Sequence, residues 1–336
     1  MPDPAGKTAD SFEARIRELE KRSLSPLAVR SYETKGRAQP ERPCRLRTPF
    51  QRDRDRIVHT KAFRRLAHKT QVFIDPEGDH YRTRLTHTLE TTGISRGVAR
   101  ALGLNEDLTE AIGLGHDLGH PPFGHAGEGA LDKALSERFG LSFRHNEHSL
   151  RVVDVLERDG RGLNLTDEVR DGILNHTGEN EPATLEGRIV RLVDRVAYIN
   201  HDIDDAIRAG AVSASDLPRE EIAVLGDKGS RRIDRLVHDI VERSSEAGDI
   251  CQSKEIAEAM LSLRQFMFDR VYLSEHTREQ NELAVLVVRT LFDHLLEHPE
   301  TIPGDEGEPV ERVTDYLAGM TDRFAFALYE AHCEAL

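Results

Sequence analysis

From Thr86 to the C-terminus, apolar residues recur at intervals of three and four, the period of helices that bury one stripe. The spacing predicts helices over roughly 86–101, 106–116, 127–139, 145–158, 166–176, 185–208, 229–245, 253–272, 276–298 and 309–335. Turn residues punctuate them at Asp159-Gly160, His176-Thr177-Gly178 and Ile302-Pro303-Gly304-Asp305. Between Arg65 and Thr86 the rhythm changes. There Gln71-Val72-Phe73-Ile74-Asp75-Pro76-Glu77-Gly78-Asp79 sets β-branched residues beside a turn and predicts a short β-hairpin near 67–84. Phe12, Ile16 and Leu19 form a thin helical stripe with little to anchor it, so residues 1–25 are expected to be a mobile arm or a partner-contacting helix. Residues 26–336 are expected to form one domain. The fold class is mainly α: a helical bundle with its core at about 63–208 and additional C-terminal helices.

Composition narrows the setting. At 336 residues and 38% hydrophobic content the chain can bury the core of one compact helical domain. It contains no run approaching the roughly 18 apolar residues that cross a bilayer, and the first thirty residues carry Asp and Glu with no apolar signal region. No membrane association and a cytoplasmic location are expected. Cys44, Cys251 and Cys333 are odd in number and widely spaced, which argues against a disulfide framework or a thiolate zinc site. Trp is absent and aromatics total 5%, leaving little material for base-stacking surfaces. The net charge of −14 is uneven, because residues 42–69 hold ten Lys or Arg against Asp53 and Asp55, a local +8. An acidic body with one basic segment fits a focused anion site better than a nucleic-acid coat, and pairing of those cations with nearby acids accounts for it equally well.

Candidate chemistry sits where the 106–116 helix ends. Gly115-His116-Asp117-Leu118-Gly119-His120-Pro121-Pro122-Phe123-Gly124-His125 is a glycine- and proline-stiffened turn loaded with metal-binding side chains. The pairs His201-Asp202 and His238-Asp239 lack such a loop. Nine of the sixteen His fall between positions 59 and 148, in about a quarter of the chain, so the clustering calls for a cause. His87 opens one helix, and Asp194 lies on the otherwise apolar face of 188–198, where a carboxylate is costly unless it meets a cation. Alone, His87 reads as a capped or core histidine and Asp194 as a partner for a neighbouring Arg. Together with His116 and Asp117 they make a mixed nitrogen and oxygen set, suited to Mn, Mg, Fe or Ni rather than a structural zinc, with positions left for water and a phosphate oxygen. His125 and Glu128, spaced i, i+3, form a candidate general acid/base dyad; alone, Glu128 would merely complement a helix dipole. His145 and His148 start a further helix and could line the same site. Asp194, Tyr198 and Asp202 recur every four residues as one stripe, and Arg195 beside them can serve a phosphate.

Four segments resemble a known family: Arg47-Thr48-Pro49-Phe50-Gln51-Arg52-Asp53-Arg54-Asp55-Arg56-Ile57-Val58-His59, Ala62-Phe63-Arg64-Arg65-Leu66, Lys69-Thr70-Gln71-Val72-Phe73, and Arg82-Thr83-Arg84-Leu85-Thr86-His87-Thr88-Leu89-Glu90. They are similar to the bacterial deoxyguanosine triphosphate triphosphohydrolases, the dGTPase-like branch of the HD superfamily, densely from about 40 to 208 and less beyond. The resemblance implies an HD-domain core and metal-dependent hydrolysis of deoxynucleoside triphosphates (dNTPs) to deoxynucleoside and inorganic triphosphate. It implies that His87, His116, Asp117 and Asp194 hold one divalent ion, with an additional Mg arriving on the nucleotide. It implies that His125, supported by Glu128, acts at the α-phosphate and that Arg84 and Arg195 hold the triphosphate. Gln71 would read the 3′-hydroxyl, Asp202 the 3′ side, and Tyr198 would pack on the sugar where a 2′-hydroxyl would clash; His145 would approach the phosphates. His120 stands where the dGTPases proper can carry Asn, which weakens the case for strict dGTP preference. Family analogy also suggests a homo-oligomer, tetramer or hexamer, and a nucleotide activator. The alternatives are an HD phosphohydrolase acting on guanosine tetraphosphate or a cyclic nucleotide, and a nucleotide-binding or single-stranded DNA-binding regulator using the basic 42–69 segment.

Overall fold

The computed structural model describes residues 4–71, 82–272, 275–304 and 307–332. Its helices are α1 (Pro4–Ser23), α2 (Pro49–Val58), α3 (Lys61–Arg65), α4 (Arg84–Ala101), α5 (Glu106–Gly115), α6 (Gly124–Phe139), α7 (His145–Arg151), α8 (Glu157–Gly160), α9 (Asp167–Asn175) and α10 (Leu185–Arg208). They continue as α11 (Arg219–Leu225), α12 (Gly229–Ala247), α13 (Lys254–Met267), α14 (Glu275–Glu297), α15 (Pro309–Ala318) and α16 (Asp322–His332). The fold is mainly α, as the periodicity predicts. Among the described residues β-structure is confined to isolated antiparallel bridges, Arg37 with Thr166 and Thr70 with Thr83. The second lies at the foot of the expected hairpin, whose residues 72–81 fall outside the described residues.

Among the described residues, three buried clusters form the core. Val98, Val193, Val196 and Ile203 join α4 and α10 to Leu236 and Leu263 of α12 and α13. Phe50, Ile57, Leu108, Ile112, Val169 and Ile173 pack α2, α5 and α9. Phe123, Leu131 and Leu135 meet Val288, Leu291, Phe292 and Leu317, so the turn after α5 and helix α6 rest on the C-terminal helices. Side-chain oxygens cap the helices that carry candidate chemistry: Thr83 accepts from Thr86 N–H, Asn105 from Asp107 and Leu108 N–H, and Thr184 from Gly187 N–H. At the far end, Glu20 of α1 is buried and accepts from the Ser31 amide at 3.0 Å.

Two expected helices are interrupted and a third changes pitch. The 145–158 helix closes as α7 at Arg151, widens to a π turn over Val152–Leu156, and breaks where Arg158 and Asp159 turn left-handed at φ 56°. The 253–272 helix widens likewise at Phe268–Tyr272. The 309–335 helix divides at Gly319-Met320-Thr321, because the Thr321 hydroxyl accepts from Phe324 N–H and starts a new helix there. The apolar spacing runs through these sites, whereas the backbone follows the local hydrogen bonds.

Candidate active site

Three helices deliver the candidate ligands. His87 lies on the first turn of α4, His116 caps the C-terminus of α5, and Asp194 projects from the middle of α10. The ligand atoms of His87, His116 and Asp194 all lie within 4.8 Å of one another. Asp194 Oδ1 is 2.9 Å from His87 Nε2 and 3.5 Å from His116 Nε2. Asp117 stands at the margin, its Oδ1 3.8 Å from His116 Nε2. His116 Nδ1 lies 2.6 Å from the Gly113 carbonyl, an acceptor only, so that nitrogen carries the proton and Nε2 presents a lone pair. This Nε2 is buried without a hydrogen bond of good geometry among the described residues. Nitrogen and carboxylate donors converging on one point, with a lone pair aimed there, fit a divalent ion.

The electrostatics follow from this crowding. Burial opposes charge on Asp194, but His116 and His87 beside it hold the carboxyl well below the usual range. Burial likewise opposes charge on Asp117, and His116 and Arg84 override it in the same direction. His116 is drawn down by burial and lifted further by Asp117 and Asp194, to about 9, so the Nε2 lone pair becomes available where a bound cation would displace the proton.

Arg84 borders this centre. Its Nη1 donates to Asp117 Oδ2 at 2.9 Å, while Nε and Nη2 are buried and meet no acceptor among the described residues. Gln71 is buried close by in the same wall, with Oε1 likewise unpaired among the described residues. A buried guanidinium with two unmet donors is expensive unless an anion joins it.

Glu128 of α6 serves two imidazoles. Its Oε1 is 2.8 Å from His145 Nδ1 and accepts from the His145 amide at 2.8 Å, whereas Oε2 is 3.4 Å from His125 Nδ1. These contacts, His125 foremost, hold the Glu128 carboxyl far below the usual range although burial pushes it up. The His125 side chain is 60% exposed, and its ring lies 6.0 Å, edge to face, from that of half-buried Tyr198. His120 stacks on His145 at 4.0 Å and reaches Asp117 Oδ1 at 3.7 Å. Asp202 is fully buried two turns beyond Asp194, and Arg195 is exposed on the same helix. His148 stands apart, buried against Phe143 and 3.8 Å from Asp315. The cations of the 42–69 segment are largely engaged at home: Arg47 and Arg54 with Asp55, Arg52 and Arg56 with Glu41, and Lys69 with the carbonyls of His120 and Ala318.

The residue pattern missed His176 and His201. His176 Nδ1 lies 2.7 Å from the Ile173 carbonyl and Nε2 lies 3.2 Å from His145 Nε2, which links α9 to the Glu128 network. His201 packs edge to face on His87 and lies 3.0 Å from Glu90. The only hint of the first is its place at the His176-Thr177-Gly178 turn, and of the second its His-Asp pairing with Asp202.

The turn's backbone explains the clustering. A β-carbon on Gly119 would overlap the backbone of Ser149, and one on Gly127 would overlap the Pro122 carbonyl. Glycine at these two positions lets α7 and the first turn of α6 close on the loop, bringing His120, His125 and His145 together.

Comparison with known proteins agrees with this architecture. Residues 84–199 match the HD domain and residues 250–331 the phosphohydrolase-associated domain. The chain is therefore an HD-type phosphohydrolase, a class that depends on metal. A protein named deoxyguanosinetriphosphate triphosphohydrolase-like from Caldanaerobacter subterraneus subsp. tengcongensis is 54% identical over 93% of this chain and 93% of its own. Proteins of the same name from Desulfatibacillum aliphaticivorans (46%; 91% and 93% covered) and Clostridium tetani (44%; 95% and 95% covered) are similar along nearly their whole length. The chain belongs to the deoxyguanosinetriphosphate triphosphohydrolase-like family.

Proposed function

We propose that the protein hydrolyses deoxynucleoside triphosphates, dGTP or a broader set, to the deoxynucleoside and inorganic triphosphate. The observation that carries this reading is Arg84, a buried cation beside the His-Asp cluster with two donors that meet no acceptor among the described residues. A polyphosphate supplies the acceptors and the charge. The names of the relatives point the same way.

His87, His116, Asp117 and Asp194 would hold one divalent ion, which when bound supplies Lewis-acid activation of water and offsets charge on the phosphate oxygens. Arg84 neutralises the triphosphate and, through Asp117, ties that charge to the ligand set. Water attacks the α-phosphorus, the bond to the sugar 5′-oxygen breaks, the departing oxygen takes a proton from His125, and the proton given up by the water restores that imidazole. Glu128 orients that imidazole and holds His145 against the same phosphate. Gln71 Oε1 offers an acceptor to a sugar hydroxyl, and Tyr198, facing His125, crowds the position of a ribose 2′-hydroxyl.

The test is triphosphate release from a panel of dNTPs and NTPs with Mg, Mn and Co. The expected result is cleavage of dNTPs with NTPs nearly inert, and a narrower gap in Tyr198→Ala. Comparable turnover of GTP and dGTP by the unaltered protein would refute the sugar discrimination and favour another HD phosphohydrolase activity.

A further inference from the structure

Asp322 opens α16, in the phosphohydrolase-associated region and far in sequence from the candidate ligands and the Glu128 network. Its carboxylate is buried and spans two segments of the active site. Oδ2 accepts from the Thr70 amide at 2.9 Å and the Thr70 hydroxyl at 2.7 Å, and Oδ1 accepts from the Phe123 amide at 2.9 Å. Thr70 immediately precedes Gln71. Phe123 lies two residues before His125 and starts α6, the helix that carries His125 and Glu128. Lys69 reinforces the same bridge, its Nζ donating to the carbonyls of Ala318 at 2.8 Å and His120 at 2.5 Å.

The Phe123 backbone makes the clamp consequential. It is left-handed at φ 65° in a residue that carries a β-carbon, a conformation that persists only where the surroundings hold it. The N-cap of α6 has no side-chain hydrogen bond from its own segment. Besides the apolar packing of its ring against α6, α14 and α15, two contacts from α16 hold Phe123: the Asp322 oxygen on its amide, and Phe326, whose ring centroid lies 4.7 Å from its own. Asp322 thus ties the direction in which α6 leaves the turn to the strand-like segment bearing Gln71.

We propose that Asp322 is a positioning residue: the corner between α15 and α16 sets the spacing between the Gln71 and His125 sides of the site without touching substrate. This gives the phosphohydrolase-associated region a defined part in the reaction, and it rests on the triphosphohydrolase reading above.

The experiment compares Asp322→Asn, Asp322→Ala and Thr70→Val with Asp315→Asn, a change in the neighbouring α15 that breaks an ion pair to Arg151 without reaching either segment. Each is assayed for kcat and KM in triphosphate release, for bound metal, and for amide hydrogen exchange at Thr70 and Phe123. A carboxamide keeps one acceptor and must present a donor to one of the two amides, so Asp322→Asn releases one arm. The expected result is faster exchange at Phe123 or Thr70 and a loss of about 10²-fold in kcat/KM, the scale of a 1 Å misplacement, with metal retained. Thr70→Val should fall in the same direction by less, and Asp315→Asn should leave exchange at both amides as in the unaltered protein. Unchanged kcat and KM in Asp322→Ala, or equal losses in Asp322→Asn and Asp315→Asn, would overturn the proposal. If the unaltered protein cleaves no nucleotide, the functional reading fails, and exchange alone judges the clamp: Thr70 and Phe123 amides no faster in Asp322→Asn than in the unaltered protein overturn it.

Discussion

At the scale of single residues, the site separates groups that would hold an ion from groups that would move a proton. His116 and Asp194 converge on one point, so His116→Ala or Asp194→Ala is expected to lose bound metal and hydrolysis together. His125 is displaced from that point, exposed, and oriented by Glu128. His125→Ala should therefore keep its metal while the rate falls by roughly 10²- to 10⁴-fold. Metal analysis beside a turnover assay checks both, and loss of metal from His125→Ala as complete as from His116→Ala would reassign His125 as a ligand. The residue types and the stiff turn made His87, His116, Asp117, Asp194, His125 and Glu128 legible in the sequence. The sharing of Glu128 between His125 and His145 was not, because the i, i+3 spacing reveals only the nearer partner along the chain and is silent about α7.

At the scale of elements, the positions of helices matter more than their boundaries. Nearly every periodic stretch is a helix, yet one breaks at a left-handed pair, one divides at a threonine cap, and one widens to a π turn over its last five residues. The break between α15 and α16 is the one with most bearing on the site, since it creates the corner that carries Asp322. Its signal is present in Thr321-Asp322-Arg323-Phe324, a cap followed by a first-turn acid, but the apolar spacing continues across it. The contact between the turn and α7 is equally specific. In Gly119→Ala the new β-carbon meets backbone atoms of His148 and Ser149, which cannot rotate away. This variant should be destabilised by about 1–3 kcal/mol in urea unfolding, the usual range for overpacking. An unchanged midpoint would mean that α7 is free to retreat from the loop.

At the scale of the whole molecule, buried imidazoles make stability depend on pH. His148 is packed between α7 and the C-terminal helices; burial first, then Lys69 and Arg151, push it down to about 3 from 6.5. The folded protein thus holds this imidazole neutral over a range in which the unfolded chain takes up a proton. Its contribution is neutral above pH 6.5 and becomes a penalty that grows as pH falls from 6.5 towards 3. At pH 5 the penalty amounts to roughly 2 kcal/mol. His148→Gln should accordingly lose less stability than the unaltered protein between pH 7.5 and pH 5, measured by urea unfolding at the two values. Equal losses would show that other groups carry the acid sensitivity.

The sequence by itself determined the mainly α class, most of the helices from α4 onward though not α11 or the division of α15 from α16, the family, and the His and Asp side chains gathered at the stiff turn. These properties are written locally, in periods of three and four, in caps, and in the chemistry of adjacent side chains. The tertiary structure alone decided that Arg84 would be buried with donors that meet no acceptor among the described residues, that His176 would extend the Glu128 network, and that a carboxylate from α16 would hold Thr70 and Phe123. Each joins segments dozens to hundreds of residues apart, and side-chain spacing along a chain carries no record of which distant helix will pack against it.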